Sequence, residues 1–258
     1  MAKIFCIANQ KGGVGKTTTT VNLAAGLASI SQRVLLIDLD PQGNATMGSG
    51  VDKRDLSRSV YDVLLNDCSV EEARVKVDAC GYDVIGANRD LAGAEIELVN
   101  ADDRNRRLKK ALAVVSKDYD FVLIDCPPSL NMLTLNGLCS AQGVIVPMQC
   151  EYFALEGLSD LVATIKQVHA NLNRDLQLIG LLRVMFDQRI TLQRQVSDQI
   201  KAHFGDKVFN AIIPRNVRLA EAPSYGLPGV VFDPHARGSQ AFLEFAREMV
   251  ERIDTMRR

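Results

Sequence analysis

A glycine-rich stretch, "NQKGGVGKTTTT" at residues 9–20, constrains the fold of this chain more than any other feature. The apolar run "KIFCIA" (3–8) before it predicts a short strand, and "TTTVNLAAGLASI" (18–30) after it has apolar residues at helical spacing. A glycine loop between a strand and a helix aims backbone N–H groups and the positive end of the helix dipole at one point. The stretch therefore predicts an anion-binding loop.

The residue types in this loop indicate phosphate as the anion. Glycines let the main chain curl closely around phosphate oxygens, because they have no Cβ atom to clash. Lys16 adds a charge for the outer phosphates, and Thr17 adds a hydroxyl that suits Mg²⁺. A simple glycine turn explains the glycines but not the Gly-Lys-Thr ending. The predicted nucleotide-binding residues of the loop are Lys11, Gly12, Gly13, Val14, Gly15, Lys16, Thr17 and Thr18.

Carboxylates end two apolar runs further along the chain. "LLIDLDPQGN" places Asp38 and Asp40 at the end of a strand, where alternate residues share one face. "FVLIDCPPS" ends a second strand in Asp125, and a carboxylate in this context holds Mg²⁺, usually through water. Parallel α/β sheets bind ligands beyond the carboxyl ends of their strands. The three carboxylates are thus candidates for one site, although Asp38 and Asp40 could instead cap the turn before Pro41.

Apolar runs alternate with helix-length segments along the chain. The further runs lie at 33–40, 82–87, 119–125, 143–148, 176–186 and 207–213, and the helix-length segments lie at 103–116, 154–170 and 191–204. This alternation predicts an α/β fold, in which a mostly parallel sheet is covered by helices on both faces. No repeat or proline-rich linker divides the sequence, so we expect a single domain over residues 1–258. Residues 43–70 are the least regular, and a mobile loop with short helices is expected there.

A closing helix is expected near the C-terminus. Seven apolar residues fall on one helical face there: Phe242, Phe245, Ala246, Met249, Val250, Ile253 and Met256. A helix that packs this face against the sheet is the simplest explanation of the pattern.

The composition is that of an ordinary globular protein, with 47% hydrophobic and 24% charged residues. No apolar run reaches the roughly 18–20 residues of a membrane helix, and the N-terminus lacks a secretory signal, so a cytoplasmic location is expected. The six cysteines include no CxxC pair and no histidine cluster, which favours free thiols over zinc ligands or disulfides. Because the net charge is −1, any surface for nucleic acid must be local.

The loop departs from the strict pattern G-x-x-x-x-G-K-[ST], because Gln10 occupies the position of the first glycine. It resembles instead the deviant Walker A motif, K-G-G-x-G-K-[ST], of the ParA and MinD ATPases. Nearly the whole chain is similar to the chromosomal ParA (Soj-like) partition ATPases, in the segments "NQKGGVGKTTT", "DLDPQGNAT", "LIDCPPSL", "EYFALEGL" and "IPRNVRLAEAPS". The resemblance implies a P-loop NTPase-like fold, ATP and Mg²⁺ as cofactors, and ATP hydrolysis that is slow alone and stimulated by a partner.

The resemblance also implies roles for individual residues. Lys11, Lys16 and Asp40 are the implied catalytic residues. Lys11 would reach across a homodimer interface to the partner's nucleotide, and Asp40 would position the attacking water. Excluding water when two subunits close strengthens the attraction of a lysine for phosphate, which makes the crossing lysine physically reasonable. The remaining implied contacts are those of Thr17 with Mg²⁺, of Asp38 and Asp125 with Mg²⁺ through water, and of Pro214 and Asn216 with adenine.

Members of this family bind DNA without sequence preference once ATP has made them dimers, and a ParB-type centromere-binding protein stimulates hydrolysis and release. The resemblance therefore implies a nucleoid-associated ATP homodimer with DNA and a ParB-type protein as partners. Residues 183–218 contain seven basic and three acidic side chains, a local excess of four. An ordinary solvated face explains this excess about as well as DNA binding does. The resemblance singles out Arg189 and Arg218 as DNA contacts; the other basic residues are Arg183, Arg194, Lys201, Lys207 and Arg215.

Three other functions were weighed against partition. A MinD-like membrane ATPase needs a basic C-terminal helix with a strongly apolar face, but this tail mixes Glu248, Glu251 and Asp254 among its arginines, so no membrane partner is expected. An iron–sulfur reductase of the nitrogenase iron-protein type needs cluster-ligating cysteines, and Cys126 has no plausible second ligand. A binding module that never hydrolyses ATP stays open, with Asp40 as the residue that argues against it.

Overall fold

The structure, a computed structural model, describes residues 2–256. Its strands are β1 (Lys3–Ile7), β2 (Val34–Asp38), β3 (Arg74–Val77), β4 (Tyr82–Ile85), β5 (Phe121–Asp125), β6 (Gly143–Met148), β7 (Gln177–Phe186) and β8 (Val208–Pro214). They form one sheet in the order β3-β4-β2-β5-β1-β6-β7-β8. Neighbouring strands are parallel throughout, except that β3 runs antiparallel to β4.

Twelve α-helices flank the sheet within the described residues. Those before β5 are α1 (Lys16–Ser29), α2 (Asn44–Gly48), α3 (Val60–Leu65), α4 (Val70–Ala73), α5 (Leu91–Glu97) and α6 (Arg107–Val115). Those after β5 are α7 (Met132–Ser140), α8 (Ala154–Asn171), α9 (Thr191–Phe204), α10 (Val217–Glu221), α11 (Gly229–Phe232) and α12 (Arg237–Thr255). Parallel strands need such crossover helices. The predicted α/β fold, a mostly parallel sheet between helices, is confirmed.

Alternate residues of the central strands supply two hydrophobic cores. In β2, Leu35 and Ile37 contribute to one core, which also contains residues of α3, α6, α7 and α8. Val34 and Leu36 contribute to the other core, together with residues of α1 and α12. All residues of β2 and β5 are buried. The unbroken apolar runs "VLLI" and "FVLI" are what a strand covered on both faces requires.

The carboxyl ends of β1, β2 and β5 lie side by side at one edge of the sheet. The strand register places Asp125 of β5 opposite Ile7 of β1 and opposite Asp38 of β2. Ile7 is the last residue of β1, so the glycine loop starts beside these two carboxylates. The strand order therefore brings together three motifs that are far apart in the sequence.

Two regions add detail that the sequence pattern did not give. Residues 43–70 contain α2 and α3, so the expected short helices are present, and α3 starts with a capping box between Ser59 and Asp62. Strand β3 was not predicted from the sequence. Its four residues "RVKV" alternate between exposed and half-buried positions at the sheet edge, so they lack the continuous apolar run of a buried strand.

Helix α12 is the expected closing helix. Phe242, Phe245 and Met249 are buried against the sheet and α1, and Val250 is half-buried. The prediction for Met256 is wrong: this side chain is 45% exposed, and the residue lies just past the last residue of α12, Thr255. The two arginines at 257 and 258 that entered the sequence argument lie outside the described residues.

Candidate nucleotide site

The glycine loop curls at two residues with left-handed backbone. Gly13 has φ 73° and Gly15 has φ 76°, a region that other residues enter only with strain. Gly15 is the N-cap of α1 and offers no side chain to the first turn of that helix. The N–H groups of this turn are therefore available to a ligand, as an anion-binding helix start requires.

Lys16 is folded back over this loop. Its side chain is buried, and its Nζ donates to the backbone oxygen of Lys11 at 3.0 Å. Burial lowers the pKa of Lys16, and the nearby charge of Asp125 acts in the opposite direction. An ammonium carries three N–H donors, and the Lys11 carbonyl accepts one hydrogen bond from it, so further acceptors are needed for this buried group. Phosphate oxygens over the loop would supply these acceptors.

Asp125 accepts hydrogen bonds from two threonines of α1. Thr17 Oγ1 donates to Asp125 Oδ2 at 2.7 Å, and Thr20 Oγ1 donates to Asp125 Oδ1 at 2.9 Å. The structure thus brings together the hydroxyl and the carboxylate that the sequence predicted as metal-binding groups. Oxygen donors of this kind fit Mg²⁺, which prefers hard ligands and retains several of its waters. These two residues are consistent with a magnesium site.

Asp38 is fully buried and holds the start of α2. Its Oδ2 accepts from the backbone N of Thr46 at 2.9 Å and from Thr46 Oγ1 at 2.7 Å, and its Oδ1 accepts from the backbone N of Asp40 at 3.1 Å. Thr46 Oγ1 in turn accepts from the backbone N of Ala87, beyond β4. The sequence did not point to Thr46. Through these bonds, Asp38 fixes the loop that carries Asp40.

The two carboxylates on adjacent strands have raised pKa values. Burial is the main cause for both: it raises the pKa of Asp38 to about 6 and, together with the charge of Asp38, raises the pKa of Asp125 to about 7. The threonine hydrogen bonds described above act in the opposite direction. A cation at this edge would favour the charged form of both groups.

Asp40 is placed beyond the strand end and is only partly buried. Its Oδ1 accepts from the backbone N of Gln42 at 2.9 Å, and its backbone oxygen accepts from the N of Gly43 at 2.8 Å. Within residues 2–256, its second carboxylate oxygen has no hydrogen-bond donor. That oxygen is the one available to a water molecule.

Lys11 lies at the outer end of the loop with a different partner from Lys16. Its side chain is about half exposed, and its Nζ forms an ion pair with Glu151 Oε2. The backbone N of Lys11 donates to Asn9 Oδ1 at 3.0 Å, which fixes the start of the loop. Glu151 begins the segment "EYFALEGL", the signal that could have identified it from the sequence. Both members of the pair are accessible to another molecule.

A cavity of about 270 Å³ lies between the loop and the ends of β7 and β8. Gly15 and Thr18 line it from the loop side, and Pro214 and Asn216 line it from the other side. Asn216 Oδ1 also accepts from the backbone N of Leu219 and so caps α10. The structure therefore places the two predicted adenine-contact residues on the same cavity as the phosphate loop.

Two residues that the sequence did not point to connect this cavity with the loop. Met185 lines the cavity with a left-handed backbone, φ 51°, and its Cε would lie 3.6 Å from a Cβ at Gly15. Gln149 Nε2 donates to Met185 Sδ at 3.0 Å and to the backbone oxygen of Gly13 at 3.4 Å. Met185 stands out through its positive φ, which is unusual for a residue other than glycine. A backbone angle cannot be read from the sequence, so the sequence did not point to this residue.

The two predicted DNA-contact arginines are both paired with carboxylates. Arg189 forms an ion pair with Asp187 at 2.7 Å, and Arg218 forms ion pairs with Glu221 at 3.0 Å and Asp233 at 3.3 Å. Arg183, which was expected to be a surface charge in 183–218, is instead buried, so that expectation is wrong.

The buried guanidinium of Arg183 in β7 forms hydrogen bonds with α9 and β8. It donates to Ser197 Oγ at 3.1 Å and to the backbone oxygen of Phe209 at 2.7 Å. The excess of accessible basic residues over acidic ones in 183–218 therefore falls from four to three. The sequence could not reveal this burial, since an arginine adds the same charge to the count whether it is buried or exposed.

Among residues 2–256, no helix is long and apolar enough to cross a bilayer.

A glycine loop between β1 and α1, a buried loop lysine, and a carboxylate at the end of β5 that contacts the loop threonine define a P-loop nucleotide-binding protein. Comparison with known proteins supports this class. A family model described as an AAA domain matches residues 2–178.

Two curated relatives are similar over nearly the whole chain. The sporulation initiation inhibitor protein Soj of Bacillus subtilis is 52% identical over 96% of this chain and 98% of that protein. The chromosome partitioning protein ParA of Caulobacter vibrioides is 50% identical over 97% of this chain and 94% of that protein. The chain belongs to the ParA/Soj family of chromosome-partitioning ATPases, which confirms the resemblance seen in its motifs.

Two solved structures share the fold. A Mycobacterium smegmatis protein, described as cobyrinic acid a,c-diamide synthase with bound ATP analog and magnesium, superposes with a TM-score of 0.86 and 40% identity, over 98% of this chain and 96% of that one. The cell division ATPase MinD of Pyrococcus furiosus superposes with a TM-score of 0.79 and 25% identity, over 97% of this chain and 99% of that one.

Proposed function

We propose that this protein is an ATPase that drives the partitioning of chromosomal or plasmid DNA. The observation that carries the proposal is the placement of the two loop lysines. Lys16 is buried over the loop, whereas Lys11 is exposed at its outer end, where its ammonium is paired with the accessible Glu151. Lys16 is thus placed to bind a nucleotide in its own subunit. Lys11 is placed to bind the nucleotide of a second copy of the protein.

ATP would lie with its phosphates over the glycine loop and its base in the cavity beside Pro214 and Asn216. Lys16 would exchange its bond to the Lys11 carbonyl for bonds to the outer phosphates. Thr17 would bind Mg²⁺ directly, and Asp125 would bind it through water, as the donor set described above supports. Bound Mg²⁺ neutralises charge on the phosphates during phosphoryl transfer. The M. smegmatis structure with an ATP analog and magnesium supports both cofactors.

Asp40 would orient the water that attacks the terminal phosphate. Its free carboxylate oxygen can accept a proton or a hydrogen bond from that water, while Asp38 and Thr46 hold the loop in place. Phosphoryl transfer depends mainly on positioning and on charge neutralisation, so a fixed carboxylate with one free oxygen suits this task.

Lys11 would leave Glu151 when two copies close over their nucleotides and would contact the phosphates of the partner's ATP. A lysine about 4 Å from a phosphate gains on the order of 1 kcal/mol in water and about 4 kcal/mol at an effective dielectric near 20. ATP binding and dimer formation are therefore coupled. The dimer would bind nucleoid DNA without sequence preference in the cytoplasm, and a ParB-type protein would stimulate the slow hydrolysis that releases it.

A MinD-like membrane function is the second candidate, favoured by the MinD neighbour. The packing of α12 argues against it, because the apolar face that could enter a bilayer is buried under the sheet. A diamide synthase function is not proposed, since the partition relatives are more similar to this chain than the protein that bears that name.

The proposal is tested first at the loop. We expect Lys16→Ala to lose binding of a fluorescent ATP analogue, because no other described side chain supplies the buried ammonium over the loop. Lys117→Ala, at an exposed lysine, is the matched control and should bind like the parent. Normal ATP binding by Lys16→Ala would contradict the assignment of the loop.

A second test separates partition from membrane function. The parent chain is sedimented with DNA and, separately, with anionic vesicles, each with ATP, with ADP and without nucleotide. We expect the protein to co-sediment with DNA when ATP is present, and not with ADP or without nucleotide. Co-sedimentation with vesicles and not with DNA would favour the MinD-like alternative, and phosphate release measured in the same samples separates an enzyme from an inert binder.

A further inference from the structure

A basic run, "DDRNRRLKK" at residues 102–110, leads into α6 and has no role in the proposed function. It contains five basic and two acidic side chains, an excess of three in nine residues, although the whole chain has a net charge of −1. Helix α6 has no acidic residue in its first turn, and cations there do not stabilise a helix, because that end is already positive. The stability of α6 therefore does not explain the run.

The basic side chains of this run differ in whether a carboxylate already neutralises them. Arg107 forms an ion pair with Asp103 at 2.6 Å, and Lys110 pairs with the other oxygen of the same carboxylate. Within residues 2–256, the side chains of Arg106 and Lys109 form no ion pair and no hydrogen bond, and both residues are exposed. These two cations can therefore bind carboxylates of another molecule without displacing an internal partner.

Exposed apolar side chains adjoin the basic run. Ile96 in α5 is 76% exposed, Val99 in the following turn is 50% exposed, and Val114 in α6 is 72% exposed. Arg104 Nη1 donates to the backbone oxygen of Val99 at 2.8 Å, which attaches this turn to the basic run. Lys110 and Val114 are four residues apart in α6, so they lie on the same side of the helix. We call the six exposed residues the α6 surface: Ile96, Val99, Arg106, Lys109, Lys110 and Val114.

Two asparagines attach this surface to the segment that follows β5. Asn131, the N-cap of α7, donates through its Nδ2 to Glu95 of α5. Asn136 in α7 donates to the backbone oxygen of Arg104 at 2.7 Å and accepts from the backbone N of Leu108 at 3.3 Å. The α6 surface is thus joined, through α7, to the edge of the sheet where the candidate nucleotide site lies.

We propose that the α6 surface docks an acidic, amphipathic segment of a partner protein. The carboxylates of that segment would pair with Arg106 and Lys109, and its apolar side chains would cover the exposed isoleucine and valines. Charge complementarity favours carboxylates at the two unpaired cations. The exposed apolar side chains favour a protein, because they have no counterpart on the sugar–phosphate backbone of DNA.

Other occupants fit this surface less well. A second copy docked through the same surface would bring like charges together. A bilayer would need the apolar face of α6, but Leu108, Leu112 and Val115 on that face are buried in the core. Duplex DNA and anionic vesicles are therefore the competing ligands in the test.

The probe is a fluorescently labelled helical peptide with glutamates and leucines along one face. Its binding to the full chain is measured by anisotropy, both with ATP and Mg²⁺ and without nucleotide. In one control peptide glutamine replaces glutamate, and in the other serine replaces leucine. We expect the parent to bind the glutamate–leucine peptide and to bind each control peptide about tenfold more weakly, the loss expected for two exposed ion pairs or for two apolar contacts.

Two double variants locate the binding on the α6 surface. Arg106→Ala with Lys109→Ala should bind the probe about tenfold more weakly and should no longer prefer glutamate to glutamine, because the carboxylates have lost their partners. Ile96→Ser with Val114→Ser should in the same way lose the preference for leucine over serine.

The matched control is Lys117→Ala with Arg247→Ala, which removes one lysine and one arginine that are exposed outside the α6 surface. This variant should bind all three peptides like the parent. It separates the effect of the α6 surface from that of a lower overall positive charge.

Several outcomes would overturn the inference. A parent that binds no peptide in either nucleotide state, or binds all three equally, would do so, as would an Arg106→Ala/Lys109→Ala variant that still prefers glutamate. Binding of duplex DNA or of phosphatidylglycerol vesicles that depends on these two cations, without binding of the probe, would assign the surface to a nucleic acid or a membrane instead. None of these outcomes removes the partition proposal, because no residue of the α6 surface lines the nucleotide cavity.

Discussion

Asp38 and Asp125 are buried neighbours on adjacent strands, and both retain protons at pH values where an exposed aspartate is charged. Burial raises their pKa values to about 6 and about 7. In the unfolded chain their pKa values return to about 3.9. Protons are therefore bound more tightly in the folded state. The resulting stabilisation is complete below about pH 4, and it is lost as the pH rises through 6 and 7.

We expect the nucleotide-free protein to lose about 2 kcal/mol of unfolding free energy between pH 5.5 and pH 8 through Asp125 alone. Asp125→Asn removes this dependence, because an amide does not titrate in that range. Urea unfolding at the two pH values measures the difference, and Asp118→Asn at an exposed carboxylate serves as the control. An identical loss in Asp125→Asn and the parent would show that Asp125 does not contribute to the change in stability between these pH values, which would contradict the raised pKa.

Asp40 is expected to matter for turnover and not for binding. It lies beyond the strand end with one carboxylate oxygen free, so its removal leaves the phosphate loop and Asp125 unchanged. We expect Asp40→Ala to bind ATP normally and to lose about 10²–10⁴-fold in the rate of phosphate release, the usual contribution of a positioned proton acceptor. Full activity in this variant would remove Asp40 from the mechanism.

The residues that the sequence identified and those it missed differ in a physical way. Lys16 and Thr17 belong to one short motif, and Asp125 ends an apolar strand. Their meeting could be predicted because ligands of parallel α/β sheets bind at the carboxyl ends of the strands. Thr46 and Glu151 act through contacts that exist only after the chain folds. Arg183 was assigned to the surface because charge counting cannot detect that a guanidinium is buried and hydrogen-bonded to backbone carbonyls.

At the level of elements, strands with a continuous apolar run were easier to predict than the edge strand β3. Strands such as β2 and β5 are covered on both faces, so their sequences are apolar without interruption. The edge strand β3 alternates with charged residues and lacks that signal. Short helices α10 and α11 were also not predicted, because four or five residues carry too little periodicity.

Helix α12 is an integral part of the core, and its packing can be measured. Phe245 is fully buried, and its ring meets that of Phe209 edge to face with centroids 4.8 Å apart. We expect Phe245→Ala to cost about 3–5 kcal/mol of unfolding free energy in urea, because the cavity cannot refill within a packed helix and sheet. Glu251→Ala, exposed on the same helix, should change stability little. Near-parent stability of Phe245→Ala would mean that α12 is loosely attached and free for other partners.

At the scale of the whole molecule, the proposed function divides one ligand between two copies. In the dimer that we propose, each subunit would supply the loop, Lys16, Thr17 and Asp125 to its own ATP and would present Lys11 to the ATP of its partner. The ion pair with Glu151 occupies Lys11 while the subunit is alone. The proposed dimer would exchange this exposed ion pair, which is worth little in water, for a contact of Lys11 with phosphate in a closed interface.

The most direct test of the proposed role of Lys11 is the molar mass of the protein, measured by light scattering with ATP and Mg²⁺. The measurement uses an Asp40→Ala background, in which the nucleotide should stay intact. We expect a dimer for Asp40→Ala, and a monomer that still binds ATP when Lys11→Ala is added. Lys117→Ala in the same background should remain a dimer. A dimer of unchanged affinity without the Lys11 ammonium would contradict the claim that this group joins one subunit to the other's nucleotide.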